Sequence, residues 1–193
     1  MKKLSITTAL LLFTSILINP VQAAEYDIDV KGAHAFIQFK IKHLGYSWLI
    51  GRFNKFDGQF SYDDKNPNAT KVEVNIDASS IDSNHAERDK HLRGKDFLNT
   101  SKFPTAKFVS TSYKLNKDGK GKLTGNLTLH GVTKKITLDL KHIGGGKDPW
   151  GGYRTGFEGS TTLTLKDFNI NYNLGPASKA VELFLSIEGI RRK

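Results

Sequence analysis

Apolar and polar residues alternate through most of the chain, from Tyr26 to Gly189. The clearest case runs from Val72 to Ala78, where every second residue is apolar and the residues between them are polar or charged. Alternation with a period of two places the two sets of side chains on opposite faces of a β-strand. On this criterion, strands are predicted at 35–43, 53–62, 72–78, 106–115, 123–129, 136–140, 153–165 and 181–189.

Turn-forming residues separate these segments. Asp118-Gly119 and His130-Gly131 have the composition of tight hairpin turns. Loops are predicted at 65–68, 144–152 and 173–178. About eight strands with no helix between most of them indicate an all-β, antiparallel fold, either a sandwich or a barrel.

One helix is predicted over His85–Arg93, because this stretch lacks glycine, proline and β-branched residues. Ser83-Asn84 is the predicted N-terminal cap, and Gly94 the predicted end. Seven of the nine residues in the stretch are ionisable. The helix is therefore expected to be short and to lie on the surface.

The first 23 residues read as a cleavable secretory signal peptide. Lys2 and Lys3 precede a mainly apolar run. Val21-Gln22-Ala23 then places small residues three positions and one position before the expected cleavage site, as signal peptidase requires. The alternative, a membrane anchor, is disfavoured because the apolar run is about 15 residues, shorter than the roughly 20 that cross a bilayer. We expect an exported, periplasmic chain of one domain, residues 24–193.

Charge and cysteine content narrow the function classes. Without the two lysines of the leader, 27 basic and 19 acidic side chains leave a net charge of +8. The lysines are spread along the strands rather than clustered, which is typical of a solvated sheet face and not of a nucleic-acid site. The chain has no cysteine, so the fold rests on its core and its hydrogen bonds.

No enzyme motif stands out. The chain lacks a Gly-x-Ser-x-Gly elbow, a phosphate loop and a His-Glu-x-x-His metal motif. His85, Asp89 and His91 share the predicted helix, and they are the best candidates for a metal site or an acid–base pair. The same spacing is typical of a surface helix held by local ion pairs, such as Asp89 with Arg93. We therefore expect no catalytic site, no metal and no cofactor.

Alternation also predicts which side chains point into the protein. These residues are the candidates for contact with an apolar ligand: Ile37, Phe39, Ile41, Phe53, Phe60, Val74, Ile76, Phe108, Leu127, Leu129, Leu138, Leu140, Phe157, Leu163, Leu183 and Leu185. Two aromatic stretches, Tyr46–Ile50 and Pro149–Tyr153, are predicted to lie at the mouth of a cavity or to pack over one barrel end. A ligand head group is expected at one opening, near Trp48, Arg52, Arg88, Trp150 and Arg154, because arginine binds phosphate through two hydrogen bonds.

Six short motifs, spread over the whole chain after the leader, together resemble the YceI family. They are His43–Trp48, Phe56–Gly58, Asn84–Arg93, Gly125–Thr133, Asp148–Gly152 and Leu174–Ser178. The resemblance is to periplasmic members from enteric and related Gram-negative bacteria. It implies an extended, lipocalin-like, eight-stranded antiparallel barrel whose interior tunnel holds a polyisoprenoid or a similar amphiphile.

Two other functions compete with this lipid carrier. An outer-membrane barrel has the same alternation with its inside and outside exchanged, but it favours strands of about 9–11 residues and an outer aromatic girdle. Several predicted strands are shorter, and the chain ends on Ile190-Arg191-Arg192-Lys193. The other competitor is an isomerase or hydrolase that uses His85 and Asp89.

Overall fold

The computed structural model describes residues 23–116 and 118–193, and the predicted leader therefore lies almost wholly outside the described residues. Eleven strands and one α-helix form within these two ranges. The strands are β1 Ala24–Ile28, β2 Phe36–His43, β3 Ser47–Phe53, β4 Phe56–Tyr62, β5 Lys71–Asp77, β6 Ile81–Asp82, β7 Thr105–Leu115, β8 Lys120–Leu129, β9 Val132–Lys147, β10 Tyr153–Thr164 and β11 Ala180–Arg191. The helix, α1, is Ala86–Leu92.

Eight of the strands close into an antiparallel barrel. Their order around the ring is β1, β4, β5, β7, β8, β9, β10 and β11, and β11 pairs back to β1. The predicted all-β, eight-stranded barrel with one short helix is confirmed. The three remaining strands, β2, β3 and β6, form a branch that also begins at β11.

Strand β11 closes the barrel by pairing with two strands on the same side. Its C-terminal part, Gly189–Arg191, pairs with β1, and its N-terminal part, Glu182–Ser186, pairs with β2. The chain leaves the sheet between β1 and β2, over residues 29–35, and then rejoins the same edge of β11.

Large aromatic side chains fill the barrel where neighbouring strands carry glycine. Tyr26 stacks on Phe60 with ring centroids 5.0 Å apart, and Phe60 meets Phe157 edge to face at 5.6 Å. A side chain at Gly125 would meet the ring of Phe108, since a Cβ there would lie 2.4 Å from Cζ. The glycines within strands thus provide room for aromatic rings on the adjacent strand.

Three local predictions were wrong. The stretch 144–147 belongs to strand β9, because the backbone of Gly144–Gly146 pairs with β10 despite its lack of side chains. A strand was predicted at 53–62, but Phe53 ends strand β3, which begins at Ser47 and was not predicted, and β4 begins only at Phe56. The helix is capped by His85, not by Ser83-Asn84.

The change of cap has a local cause. Asn84 adopts a left-handed backbone with φ of 61°, and its N–H donates to Asp82. This turn puts His85 at the extended position before the helix, where its Nδ1 accepts the N–H of Arg88 at 3.2 Å. None of the helices in the described part of the chain has the length and apolarity to span a lipid bilayer.

We expect Gly125→Val to destabilise the fold. Its Cβ would lie 2.5 Å from the backbone oxygen of Val109 as well as against Phe108, so the sheet itself has to move. Overpacking of this kind costs about 1–3 kcal/mol, which urea unfolding followed by circular dichroism would detect. The matched control is Gly146→Val, where a Cβ meets nothing within 4 Å. Equal unfolding midpoints for the two variants would contradict this account.

Candidate functional site

The barrel contains an apolar cavity between its strands. The space that the centre of a water-sized sphere can occupy is about 120 Å³. Its wall is formed by Ile28, Ile37, Phe60, Thr70, Val72, Val74, Ile76, Phe108, Tyr113, Leu123, Leu127, Ile136, Leu138, Leu140, Phe157, Gly159, Leu183, Leu185 and Ile187.

The wall offers a ligand no polar contact. Its only polar residues are Thr70 and Tyr113, and the Thr70 hydroxyl already donates to the Pro67 carbonyl at 2.6 Å. A water molecule needs two to four polar partners, so the space suits hydrocarbon and not water. By volume, it holds roughly ten water-sized groups, or about two five-carbon isoprene units.

Eleven of the sixteen side chains that alternation assigned to the interior lie in the cavity wall. The other five lie outside the cavity wall. Phe39 and Leu163 are buried in the hydrophobic core, and Phe53 and Leu129 pack against that core. Ile41 lines a separate cleft, which is described below. The strands are tilted and staggered, and an inward position therefore reaches the cavity only over the middle of each strand.

Eight wall residues were missed. Val72, Leu123, Ile136 and Ile187 continue the same alternation as their predicted neighbours, so this signal was available. Ile28 is the last residue of β1, which was not predicted, and Thr70, Tyr113 and Gly159 are not the aliphatic residues that alternation selects. Only the closed barrel places these last four in the wall.

A second apolar space, the end cleft, lies at one end of the barrel. It is lined by Ile41, Lys42, His43, Leu44, Leu49, Asn173, Leu174, Gly175 and Ser178. Phe39 stands between it and the cavity. On β2, the inward residues Ile37, Phe39 and Ile41 follow each other at intervals of about 7 Å, and the first lines the cavity while the last lines the cleft.

The ring of Phe39 fits there because the facing residue on β3 is Gly51. The two residues are register partners, and a Cβ at Gly51 would lie 2.3 Å from Cζ of Phe39. Phe39 is thus the inward residue of β2 between the two apolar spaces, and we refer to it as the plug.

The other end of the barrel carries a cluster of charges centred on Arg154. Its Nη1 donates to Oδ2 of Asp29 at 2.7 Å and to Oε1 of Glu188 at 2.5 Å, while Nε donates to Oδ2 of Asp148 at 2.9 Å. His34 approaches Asp29 through Nδ1 at 2.8 Å. We refer to Asp29, Asp148, Arg154 and Glu188 as the ion cluster.

The pKa of the buried Asp29 carboxyl reflects this setting. Burial raises the pKa, but hydrogen bonds from His34, Arg154 and the Gly32 N–H outweigh burial and bring it down to about 2. Asp29 and Glu188 hold the Arg154 guanidinium in its charged form by raising its pKa further.

The ion cluster is not a metal centre. Asp29, His34 and Glu188 bring ligand-type atoms within 4.8 Å of one another, and they are the sole such group in the described ranges. The guanidinium of Arg154 already binds two of these three residues. A divalent cation in the same place would face the positive charge of the arginine at close range.

The five residues predicted around one opening do not meet, and that prediction was wrong. Arg154 is the register partner of Ile190 near one end of β11. Trp48 on β3 pairs with Lys42 on β2. Two residues away on β2, Lys40 pairs with Glu182, which lies at the other end of β11. The two places are roughly 30 Å apart along the strand.

Each of the predicted arginines also has protein partners. Arg52 lies on the outer face with Asp82 at 3.6 Å, and Arg88 donates to the hydroxyl and the carbonyl of Ser83 at 2.7 and 2.5 Å. Trp150 stays exposed in the β9–β10 turn, with the Arg154 guanidinium 5.3 Å from its ring centroid. These contacts stabilise loops, and they leave no convergent site for a pyrophosphate.

The helix candidates for acid–base chemistry are occupied as well. His85 caps α1 through its ring nitrogen, and the buried Asp89 accepts from the N–H and the hydroxyl of Ser83 at 2.8 and 2.5 Å. His91 contacts Asp96 at 3.5 Å and packs its ring against Phe97. These groups therefore hold the helix to the segments directly before and after it.

Comparison with known proteins gives consistent matches. The profile of the YceI-like domain family matches residues 26–189. A UPF0312 protein of Pseudomonas aeruginosa is 64% identical over 181 residues, covering 94% of this chain and 93% of that protein.

Two solved structures have similar folds. The Campylobacter jejuni YceI protein superposes with a TM-score of 0.71 at 30% identity, covering 80% of this chain and 91% of that one. A polyisoprenoid-binding domain from Saccharophagus degradans, implicated in plant cell wall breakdown, gives 0.65 at 14% identity, covering 89% of this chain and all of that one.

The Asp29 carboxylate should make stability depend on pH in acid. Because its folded pKa of about 2 is below the ordinary value of about 3.9, its contribution is complete above pH 4 and is lost as the pH falls to 2. The loss amounts to about 2 kcal/mol. Unfolding free energies measured between pH 2 and 5 should show this fall in the native chain and a smaller fall in Asp29→Asn.

Asp57→Asn is the control, since Asp57 is exposed and its carboxylate only accepts from the Asn75 amide. It should keep the native pH dependence. If the Asp29 and Asp57 variants change in parallel, the ion cluster is not the source of the acid sensitivity.

Proposed function

The chain belongs to the YceI-like domain family, and from that premise we propose that it is a periplasmic carrier, not an enzyme, which holds one long-chain amphiphile inside its barrel. A polyisoprenoid or another lipid with a long hydrocarbon chain has the required chemistry. The observation that carries the proposal is the cavity, whose wall is apolar on every strand of the ring.

The energy of burial supports a hydrocarbon ligand. Each CH₂ group removed from water contributes about 0.8 kcal/mol, so ten groups contribute about 8 kcal/mol before the cost of immobilising the chain. Shape and burial are thus enough for binding without any charged contact. The relative from Saccharophagus degradans is described as polyisoprenoid-binding, which agrees with this ligand class.

A long chain needs more room than the cavity has. The end cleft lies in line with it, and Phe39 alone interrupts the inward row of β2 between the two spaces. We propose that a bound chain displaces the Phe39 ring and extends from the cavity into the end cleft. The polar end of the ligand would then lie at the cleft, near Lys42 and His43.

The distribution of charge favours a carrier over a membrane-spanning barrel. The outer face bears ion pairs between neighbouring strands, such as Lys107 with Glu73 at 2.5 Å and Lys122 with Asp139. A spanning barrel places apolar side chains outside instead. The predicted leader agrees with export to the periplasm.

Filling the cavity should remove the ligand. Val74→Phe places a ring in the cavity wall, and we expect the amount of lipid per protein to fall to a small fraction of the native amount. Organic extraction and mass spectrometry of protein purified from the periplasm would measure this. The matched control is Val109→Phe, because Val109 lies on the neighbouring strand with its side chain exposed. Full occupancy in Val74→Phe would refute an internal site.

Opening the passage should speed ligand exchange. Phe39→Ala joins the two apolar spaces, and a fluorescent fatty chain should leave this variant faster than it leaves the native protein. Truncating a buried Phe costs about 3–5 kcal/mol of stability, so the control is Phe56→Ala, a buried ring outside both spaces. Equal release rates from the two variants would mean that Phe39 is not the plug.

A further inference from the structure

The turn between β2 and β3 exposes an unusual amount of apolar surface. Leu44 is 60% exposed, Tyr46 88%, Trp48 43% and Ile50 60%. Trp48 and Ile50 point outward from β3, and Leu44 and Tyr46 form the turn itself. We name these four side chains, together with Lys40 and Lys42, the hairpin surface.

Two lysines accompany the apolar side chains. Lys40 and Lys42 place their ammonium groups 4.4 and 5.7 Å from the centroid of the Trp48 ring. Lys40 also pairs with Glu182 at 3.0 Å. Lys42 forms no salt bridge with any residue that the structure describes. The hairpin surface thus combines apolar side chains with a positive charge.

Leu44 is an unfavourable residue for its position. Its φ is 53°, in the left-handed region where asparagine and glycine are preferred, and the next residue, Gly45, has φ of 86°. A leucine here strains the backbone and also exposes its side chain to water. Neither the turn nor solubility explains this choice, whereas contact with an apolar phase does.

The hairpin is held in place rather than loosely attached. The Ser178 hydroxyl donates to the Lys42 carbonyl at 2.5 Å, and Gly45 lies next to Ala177, since a Cβ on it would be 3.7 Å from the Cβ of Ala177. Leu44 and Lys42 also line the end cleft. Whatever the hairpin surface contacts is therefore brought up to the mouth of the cleft.

We propose that the hairpin surface docks onto an anionic lipid bilayer. Tyr46 and Trp48 suit the headgroup region, where aromatic side chains with a polar group concentrate. Leu44 and Ile50 would contact the upper acyl chains, and Lys40 and Lys42 would contact anionic headgroups. Docking goes beyond the proposed carrier role and does not require a particular cargo, although it places the end cleft against a source of lipid.

A bilayer fits the geometry better than a partner strand. Among the described residues, β3 pairs with β6 only at Arg52 and Phe53, so its edge over Ser47–Gly51 is free. A strand added along that edge would cover backbone groups. Leu44 and Tyr46, which are 60% and 88% exposed, lie in the turn beyond the last β2–β3 pair, where a strand added along the edge would not cover them.

Tryptophan fluorescence provides a direct test, because the chain has two tryptophans and they lie at opposite ends. Trp150→Phe leaves Trp48 as the only emitter, and Trp48→Phe leaves Trp150. With vesicles that contain phosphatidylglycerol, the emission of Trp48 should shift to shorter wavelength and that of Trp150 should not. A shift of Trp150 alone would overturn the proposal.

Cosedimentation with the same vesicles tests the individual side chains. Lys42→Gln should weaken binding about fivefold, since each lysine near an anionic surface contributes about 1 kcal/mol. Leu44→Asn should weaken binding while it keeps or raises the melting temperature, because asparagine tolerates the left-handed backbone. The matched control at the other end is Ile143→Asn, which is 62% exposed and should bind vesicles like the native chain.

Three results would contradict the docking surface. They are no binding of the native protein to the anionic vesicles, equal binding to vesicles of phosphatidylcholine alone, and full binding by a combined Lys42→Gln, Leu44→Asn and Tyr46→Ser variant. Analytical ultracentrifugation would reveal the competing outcome, a dimer that these substitutions dissociate. The cavity variant Val74→Phe should still bind vesicles, so a failure of docking and a failure of the carrier role are distinguishable.

Discussion

The shared edge of β11 is the constraint on which the rest of the structure depends. One strand edge closes the ring through β1 and carries the β2–β3 branch, and the chain between them has to leave the sheet over residues 29–35. The N–H of Asp29 donates to the Glu188 carbonyl at 2.8 Å at the point of departure. The ion cluster fixes this junction because Arg154, on the neighbouring strand β10, binds both Asp29 and Glu188. A charged group at this junction is stable since each hydrogen-bonding group has a partner.

Closure at that junction also explains why the cavity is empty of polar groups. With the ring closed, inward positions on all eight strands face one another, and the ring itself has no unpaired strand. Aromatic rings close the barrel towards the ion cluster, with Tyr62, His142 and Phe157 in mutual contact at 5.0–5.1 Å. Towards the hairpin, Phe39 blocks the passage over Gly51. The cavity is the space between these two layers that the aliphatic side chains of its wall do not fill.

The two ends of the barrel differ in what they can contact. In the ion cluster, all three carboxylates are paired with the Arg154 guanidinium. At the opposite end, the hairpin surface has apolar side chains in water and a lysine without an acidic partner in the described residues. Polar groups that are already paired bind new ligands poorly, whereas exposed apolar area is stabilised by any apolar contact. The end of the barrel that is suited to contact other molecules is therefore the β2–β3 turn with the end cleft beside it.

The pattern of residues by itself determined the all-β class, the one short helix and most of the inward side chains, whereas the eight-stranded barrel was implied by the family resemblance. The predicted strand at 35–43 lies outside the ring, and β1, which belongs to the ring, was not predicted. Period-two alternation is a local property, and Ile37, Val74 or Leu185 reveal their face through their immediate neighbours. Only the tertiary structure decided the depth of each side chain along the barrel, because stagger between strands depends on pairing across the ring. It separated Arg154 from Arg52 by about 20 Å along β11, and it buried Phe39 in the core instead of in the cavity wall. It also placed Gly144–Gly146 in a strand, since pairing to β10 outweighs the weak intrinsic preference of glycine.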